Sequence, residues 1–346
     1  MSGAFSPLDR RLELTGHAWA PDLLLTALQL DVEIASRRRA AQAFERAVKI
    51  PLSKSSLQRL TVEYGNQLAD DEEEEAERLS APGSVDDGVA TWQDQPEPDA
   101  ETMAVSMDGV MVNIREEGWK EVKVVAISAV ECEPGQDEEA PKVRLTKHSY
   151  RAGLLEAKEF AKHQWAEACR RGLERAKRIV SVNDAAMWIW SLVLTCYAPC
   201  VEVIDWWHAV QRLWAIGHTV LGEESPYVKV WVSRLKTLLW QGQMAKLFRE
   251  VRRKWPREKD IPQELRLAIG YLFHNRRRMR YAEFRAQGCP TGSGTVESAC
   301  KTVVQGRCCQ SGMRWSRRGL RATLSLRCAL LSGRWQDVKP LLSPVP

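Results

Sequence analysis

Three carboxylates, Asp108, Asp184 and Glu297, have the type and the setting for chemistry. Glu297 lies in the stretch CPTGSGTVESACK, Cys289 to Lys301. There Gly292 and Gly294 permit a tight, close-approaching turn, Ser293 or Thr295 can cap the helix that follows, and Glu297 falls within its first two turns. Alone, such an acid can be no more than a partner for the helix dipole, worth about 0.3–1 kcal/mol. Asp108 and Asp184 change that, because each follows a strand-like run and separate elements can then deliver three acids to one point. Hard divalent cations take carboxylate oxygens, and a converging set of them suits metal-assisted phosphodiester chemistry. Asp205 and His208, three apart at a helix start, share a face and can orient a water or a strand end, or can simply cap and pack. Asp205 is also the rival of Asp184 as second metal ligand.

The elements that must position these residues form a regular passage. Thr102–Met107 reads as a strand delivering Asp108-Gly109, followed by strands Val110–Ile114 and Glu121–Val130. Leu154–Arg175 has the spacing of an amphipathic helix. Arg178–Val182 is a short buried strand ending in Asn183-Asp184, Ala185–Tyr197 an apolar helix, and Cys200–Ile204 a strand ending in Asp205-Trp206-Trp207-His208. Three strands, helix, strand, helix, strand is the order of an α/β, RNase H-like mixed sheet with flanking helices, in which the first and fourth strands are neighbours. Residues 209–287 are helical in pattern and read as a large all-helical insertion. In the basic segment Ser311–Leu331, Met313, Leu320, Leu324 and Leu331 can face inward.

Charge is distributed unevenly. Between Asp70 and Glu101 thirteen acids meet the single base Arg78, so the formal +5 of the 346-residue chain hides a body near +17 once that stretch, at −12, is set aside. Residues 70–100, with this acidic run and several prolines and glycines, are expected to be a disordered linker. It would separate an N-terminal helical domain (1–69) from a catalytic domain (101–331), with 332–346 as a tail. In the N-terminal part Pro51 ends one helix, Ser53 can cap the next and Gly65 closes it; a helix-turn-helix there would expose Arg37, Arg38, Arg39, Lys54 and Arg59 to phosphates. A basic body suits nucleic acid. Nine cysteines with no C-x-x-C pair imply neither a disulfide framework nor a zinc ribbon, and no apolar run reaches membrane length. A cytoplasmic protein without membrane contact is expected.

The ordered set Ser106-Met107-Asp108-Gly109, Asp184 with Trp188-Ile189-Trp190, Asp205-Trp206-Trp207-His208, NRRRMRY (Asn275 to Tyr281), GSGTVESACK and Gly312-Met313-Arg314-Trp315-Ser316 resembles bacterial insertion-sequence DDE transposases of the ISKra type, relatives of the Mutator-like group. The resemblance covers most of residues 100–330. It implies an RNase H-like core in which Asp108, Asp184 and Glu297 hold two Mg²⁺ or Mn²⁺ ions, Asp205 and His208 assist, and double-stranded DNA, as terminal inverted repeats and target, is cut and joined by a homodimer. In that setting Arg276, Arg277, Arg278, Arg280, Lys301, Arg314, Arg317 and Arg318 become phosphate contacts, the arginines sharing one positive face near the acids. A structure-specific nuclease on the same fold, or a non-catalytic copy that binds element ends as a repressor, are the competing readings.

Overall fold

The computed structural model describes residues 19–80, 95–133, 135, 141–255 and 261–342. Its centre is β1 (Thr102–Ile114), one strand of 13 residues running straight through Asp108. The expected break at Asp108-Gly109 is absent because β2 (Gly118–Glu133) pairs antiparallel with β1 along its whole length, from Met103↔Ala129 to Ile114↔Gly118. What changes there is burial. Met103, Val105 and Met107 face one core, while Val110, Val112 and Ile114 face another. The parallel neighbour β4 (Arg178–Asn183) pairs only with Thr102–Val105, so Asp108 lies just beyond the point where β4 lets go.

The third strand, β3 (Lys142–Gly153), departs from expectation. Its sequence KVRLTKHSYRAG alternates weakly, and two of its buried positions, Ser149 and Arg151, are polar. With β5 (Val201–Ile204) parallel to β4, the chain forms a five-stranded mixed sheet in the order β3-β2-β1-β4-β5.

One face of the sheet is covered by α4 (Ala157–Arg170) and α5 (Met187–Cys196). The same core continues into α6 (Trp206–Leu221), α7 (Val228–Trp240), α8 (Met244–Lys254), α9 (Gln263–His274), a 3-10 turn (Arg276–Met279) and α10 (Tyr281–Ala286), where Leu213, Leu235, Leu247, Leu265 and Tyr281 are all buried. Every regular element among the described residues of 209–287 is helical. The other face carries α11 (Gly294–Ala299), which continues through a π-helical segment (Cys300–Gln305) into α12 (Gly306–Cys308), and then α13 (Arg317–Leu331).

The N-terminal helices α1 (Pro21–Glu33), α2 (Arg37–Val48) and α3 (Lys54–Ser80) do not stand apart. Their core includes Leu326 and Ala329 of α13 together with Val338 and Leu342. Gly65 does not end a helix; a Cβ there would lie 2.6 Å from the Ala322 carbonyl oxygen, so it marks the closest approach of α3 to α13. Nor is 70–80 a linker. It is the last part of α3, because its acids meet arginines: Glu72 pairs with Arg151 and accepts from Ser325, Glu75 pairs with Arg170, and Asp70 and Glu73 pair with Arg321. Residues 95–101 also pack back, through Gln95 to Glu174 and Asp99 to Arg171; the rest of the expected linker, 81–94, lies outside the described residues. Within 332–342 a 3-10 turn (Trp335–Val338) and α14 (Lys339–Leu342) are seated on the N-terminal core rather than forming a tail. Among the described residues no helix is long and apolar enough to cross a membrane.

Candidate active site

Asp108 leaves β1 on the face covered by α11 and the π-helical segment. Its Oδ1 accepts the Gly109 N–H at 2.7 Å, and the Cys300 thiol lies 3.6 Å from Oδ2. Three residues after Glu297, the π segment begins at this cysteine, a local rewinding of the kind found at functional sites. Burial pushes the Asp108 carboxyl above the ordinary carboxylate range, with the charge of Asp184 adding to it, against the pull of the Gly109 N–H, the Cys300 thiol and His208.

Asp184 follows β4 directly. Its Oδ1 accepts the Ala186 N–H at 2.9 Å, and its carbonyl accepts the indole N–H of Trp190 at 2.7 Å, which fixes the turn into α5. The preceding Asn183 is wholly buried and accepts the Met107 N–H at 2.6 Å. That bond carries the β1–β4 contact past the last paired residues and sets Asp108 beside the Asp184 turn.

Asp205 is fully buried and caps α6, Oδ1 accepting the His208 N–H at 2.9 Å. Oδ2 takes both the N–H and the hydroxyl of Ser293, at 2.6 and 3.0 Å. Ser293 therefore does not cap α11 with its side chain, as its position suggested; it ties the loop before α11 to the start of α6. The two glycines are likewise not needed for shape. Neither has a positive φ, an added Cβ at Gly294 would meet nothing within 4 Å, and the nearest left-handed residue is Gly288, just before this stretch, at φ 69°.

The result is a cluster in which ligand atoms of Asp205, His208 and Glu297 lie within 4.8 Å of one another. The trio expected from sequence was Asp108, Asp184 and Glu297. The tight group instead contains Asp205, while Asp108 and Asp184 stand close enough for the charge of Asp184 to raise the cost of ionising Asp108. None of Asp108, Asp184, Asp205 and Glu297 has an ion-pair partner among the described residues, whereas other acids packed into the fold, Asp31, Glu72, Glu75 and Asp99, do. Carboxylates without cationic partners, Asp205 buried and Asp108, Asp184 and Glu297 partly so, are a donor set that fits a hard divalent cation.

The basic residues divide. Arg278 stacks on Trp190 and pairs with Glu202 on β5 at 2.5 Å; Arg280 pairs with Glu283, and Arg276 covers Phe273. Arg277 and Lys301 are exposed. Arg317 pairs with Glu117, and Arg318 is exposed beside it. Arg37 is held by buried Asp31 and Arg59 lies near Ser56, whereas Arg38, Arg39, Lys54 and Arg314 line a separate groove. The seven arginines expected on one face are thus split between the β5 edge and the far end of β1. Asn183, Ser293 and Cys300 were missed as site residues. Only their nearness to the acids in sequence marked them. Comparison with known proteins gave no matching family model and no curated protein that matches.

Proposed function

We propose that the chain is a DNA transposase with an RNase H-like core, cutting phosphodiesters at element ends and joining the freed 3′-hydroxyl to target DNA. The observation that carries this reading is the convergence of Asp108 on the central strand, Asp184 after the adjacent parallel strand, and the Asp205–His208–Glu297 cluster, all without cationic partners among the described residues. Strand order β3-β2-β1-β4-β5 is that of the RNase H-like sheet and supports the same assignment. Bound at these acids, Mg²⁺ or Mn²⁺ would supply charge for the attacking and leaving oxygens.

The chain's own residues have separable tasks. Asp108, Asp184 and Glu297 each retain an oxygen not engaged by a backbone donor and are the ligands. Asp205 spends three acceptor positions on His208 and Ser293, so it is chiefly a positioning residue that holds α11 and Glu297 against α6. In the first step water oxygen bonds to phosphorus, the bond to the 3′-oxygen breaks and that oxygen takes up a proton. In the second, the freed 3′-hydroxyl gives up its proton as its oxygen bonds to target phosphorus, the bond to a target 3′-oxygen breaks, and that oxygen takes up a proton.

The test uses purified protein, a supercoiled plasmid carrying the element ends, and Mg²⁺ or Mn²⁺. Wild type should give end cleavage and strand-transfer products, and Glu297→Gln should give neither while binding DNA nearly as well, since Gln keeps the shape and loses the charge. Cutting without joining by wild type would make the protein a nuclease. Normal cutting by Glu297→Gln would remove the assignment altogether.

A further inference from the structure

A second feature lies away from the acids. A groove of about 560 Å³ opens between the start of α2, the start of α3 and the segment leading into α13. Arg38, Arg39, Lys54, Arg115 and Arg314 line it, all exposed and none in an ion pair among the described residues. Arg37 and Arg307 complete the lining, and both are fastened from behind by the buried carboxylate of Asp31. No carboxylate lines the groove among the described residues. Arginines also occupy the first turns of α2 and α13, the ends where the helix dipole disfavours a cation. Such a concentration of uncompensated positive charge is costly unless an anion occupies it.

The chain segment that leads from Glu297 to this groove carries no negative charge of its own. Between Ser298 and Gln336 there is no Asp or Glu, while Lys301, Arg307, Arg314, Arg317 and Arg318 all fall in that span. The helical run that begins at α11 leads from Glu297 through exposed Lys301 and Gln305 to its end at Cys308, with Gln310 two residues further on at the groove, a span of about 20 Å taken at 1.5 Å per residue. Along β1, Asp108 to Arg115 spans about 23 Å at 3.3 Å per residue. Both routes correspond to about six or seven base pairs of duplex.

We propose that this groove seats the backbone of the DNA being cut, gripping phosphates about six to seven base pairs from the scissile one. The spacing rests on the transposase reading; the binding does not. A small anion such as free phosphate shares the chemistry, but the groove's length and the acid-free track toward Glu297 favour a continuous phosphodiester chain.

The experiment measures binding of a fluorescent duplex carrying the element end, with chelator present so that the carboxylates contribute no metal, across a salt series. Each side chain withdrawn from a phosphate should reduce the slope of log K against log salt by about 0.9. Arg38→Ala/Arg39→Ala/Lys54→Ala should therefore flatten the slope by about 2.7, and the charge-retaining Arg38→Lys/Arg39→Lys should stay near wild type. All three side chains are exposed, so an unchanged melting temperature certifies the fold. Ethylation of phosphates about six to seven base pairs from the cut should weaken wild type and not the triple variant. An unchanged slope overturns the proposal, as does loss of tripolyphosphate binding without loss of duplex binding. If binding behaves as stated but no metal supports cleavage, the groove stands and the transposase reading falls.

Discussion

Asp108 carries a charge in a place that resists it, and that has a measurable sign. Its carboxyl is raised by burial and by Asp184, so the folded state holds the proton more tightly than the unfolded chain does. Its contribution to stability is greatest at low pH and is lost as pH rises through the raised value. At neutral pH, Asp108→Asn should therefore melt above wild type in chelator. Added Mn²⁺ should reverse the order, stabilising wild type by about 2.7 kcal/mol at a hundredfold excess over its Kd and the variant much less; equal shifts in the two proteins would exclude Asp108 as a ligand. Asp205 and Asp184 separate in a different way. Asp205→Asn disrupts acceptors for His208 and Ser293 in a buried setting and should cost about 1–3 kcal/mol in denaturant unfolding. Asp184→Asn keeps an acceptor for Ala186 and should leave stability nearly unchanged while abolishing cleavage. Should Asp184→Asn cut normally and Asp205→Asn not at all, the two roles are exchanged.

At the scale of elements, apolar patterning was readable and polar packing was not. β4, α5 and β5 were legible because their runs are apolar and bounded, and the acids at their ends came with them. β3 and the end of α3 were hidden, since what they bury is Arg151, Ser149 and Glu72, residues that alone signal solvent or a linker. Together they form a buried network: Arg151 bonds Glu72, Ser325 and the Nδ1 of His163. Burial, with the Arg151 charge behind it, pushes the His163 pKa down to about 4. The unfolded chain therefore takes up a proton near pH 6.5 that the folded protein refuses until about pH 4. Stability should fall by about 3 kcal/mol across that window as pH is lowered. His163→Gln, which retains an acceptor for Arg151, should flatten unfolding free energy between about pH 6.5 and 4.5; a profile as steep as wild type would show that other groups govern it. Below that window the Glu72 carboxylate, held low by Arg151, Arg334 and Ser325 despite its burial, adds a loss of the same sign.

The whole molecule is organised on α13, which no local pattern could reveal. One side of it gives Leu320, Leu324 and Cys328 to the core under the sheet, and the other gives Leu326 and Ala329 to the core of the N-terminal helices. A basic helix expected to turn Met313, Leu320, Leu324 and Leu331 inward buries Leu320 and Leu324 but leaves Leu331 exposed, and it is the shared wall of two cores rather than of one; Arg327 spends its guanidinium on the carbonyls of Val32, Thr302 and Val303. It follows that residues 101–342 should not fold without residues 19–80. Removing them takes Asp31 from Arg307 and Glu72 from Arg151, breaking two ion pairs whose carboxylates are almost wholly buried. It also strips the cover from Leu326 and Ala329. The full chain should therefore unfold in one cooperative transition by circular dichroism and tryptophan fluorescence, and the 101–342 fragment should show neither a cooperative transition nor a dispersed amide spectrum. A fragment that folded with full cooperativity would restore the two-domain organisation and show that the contacts through α13 are dispensable.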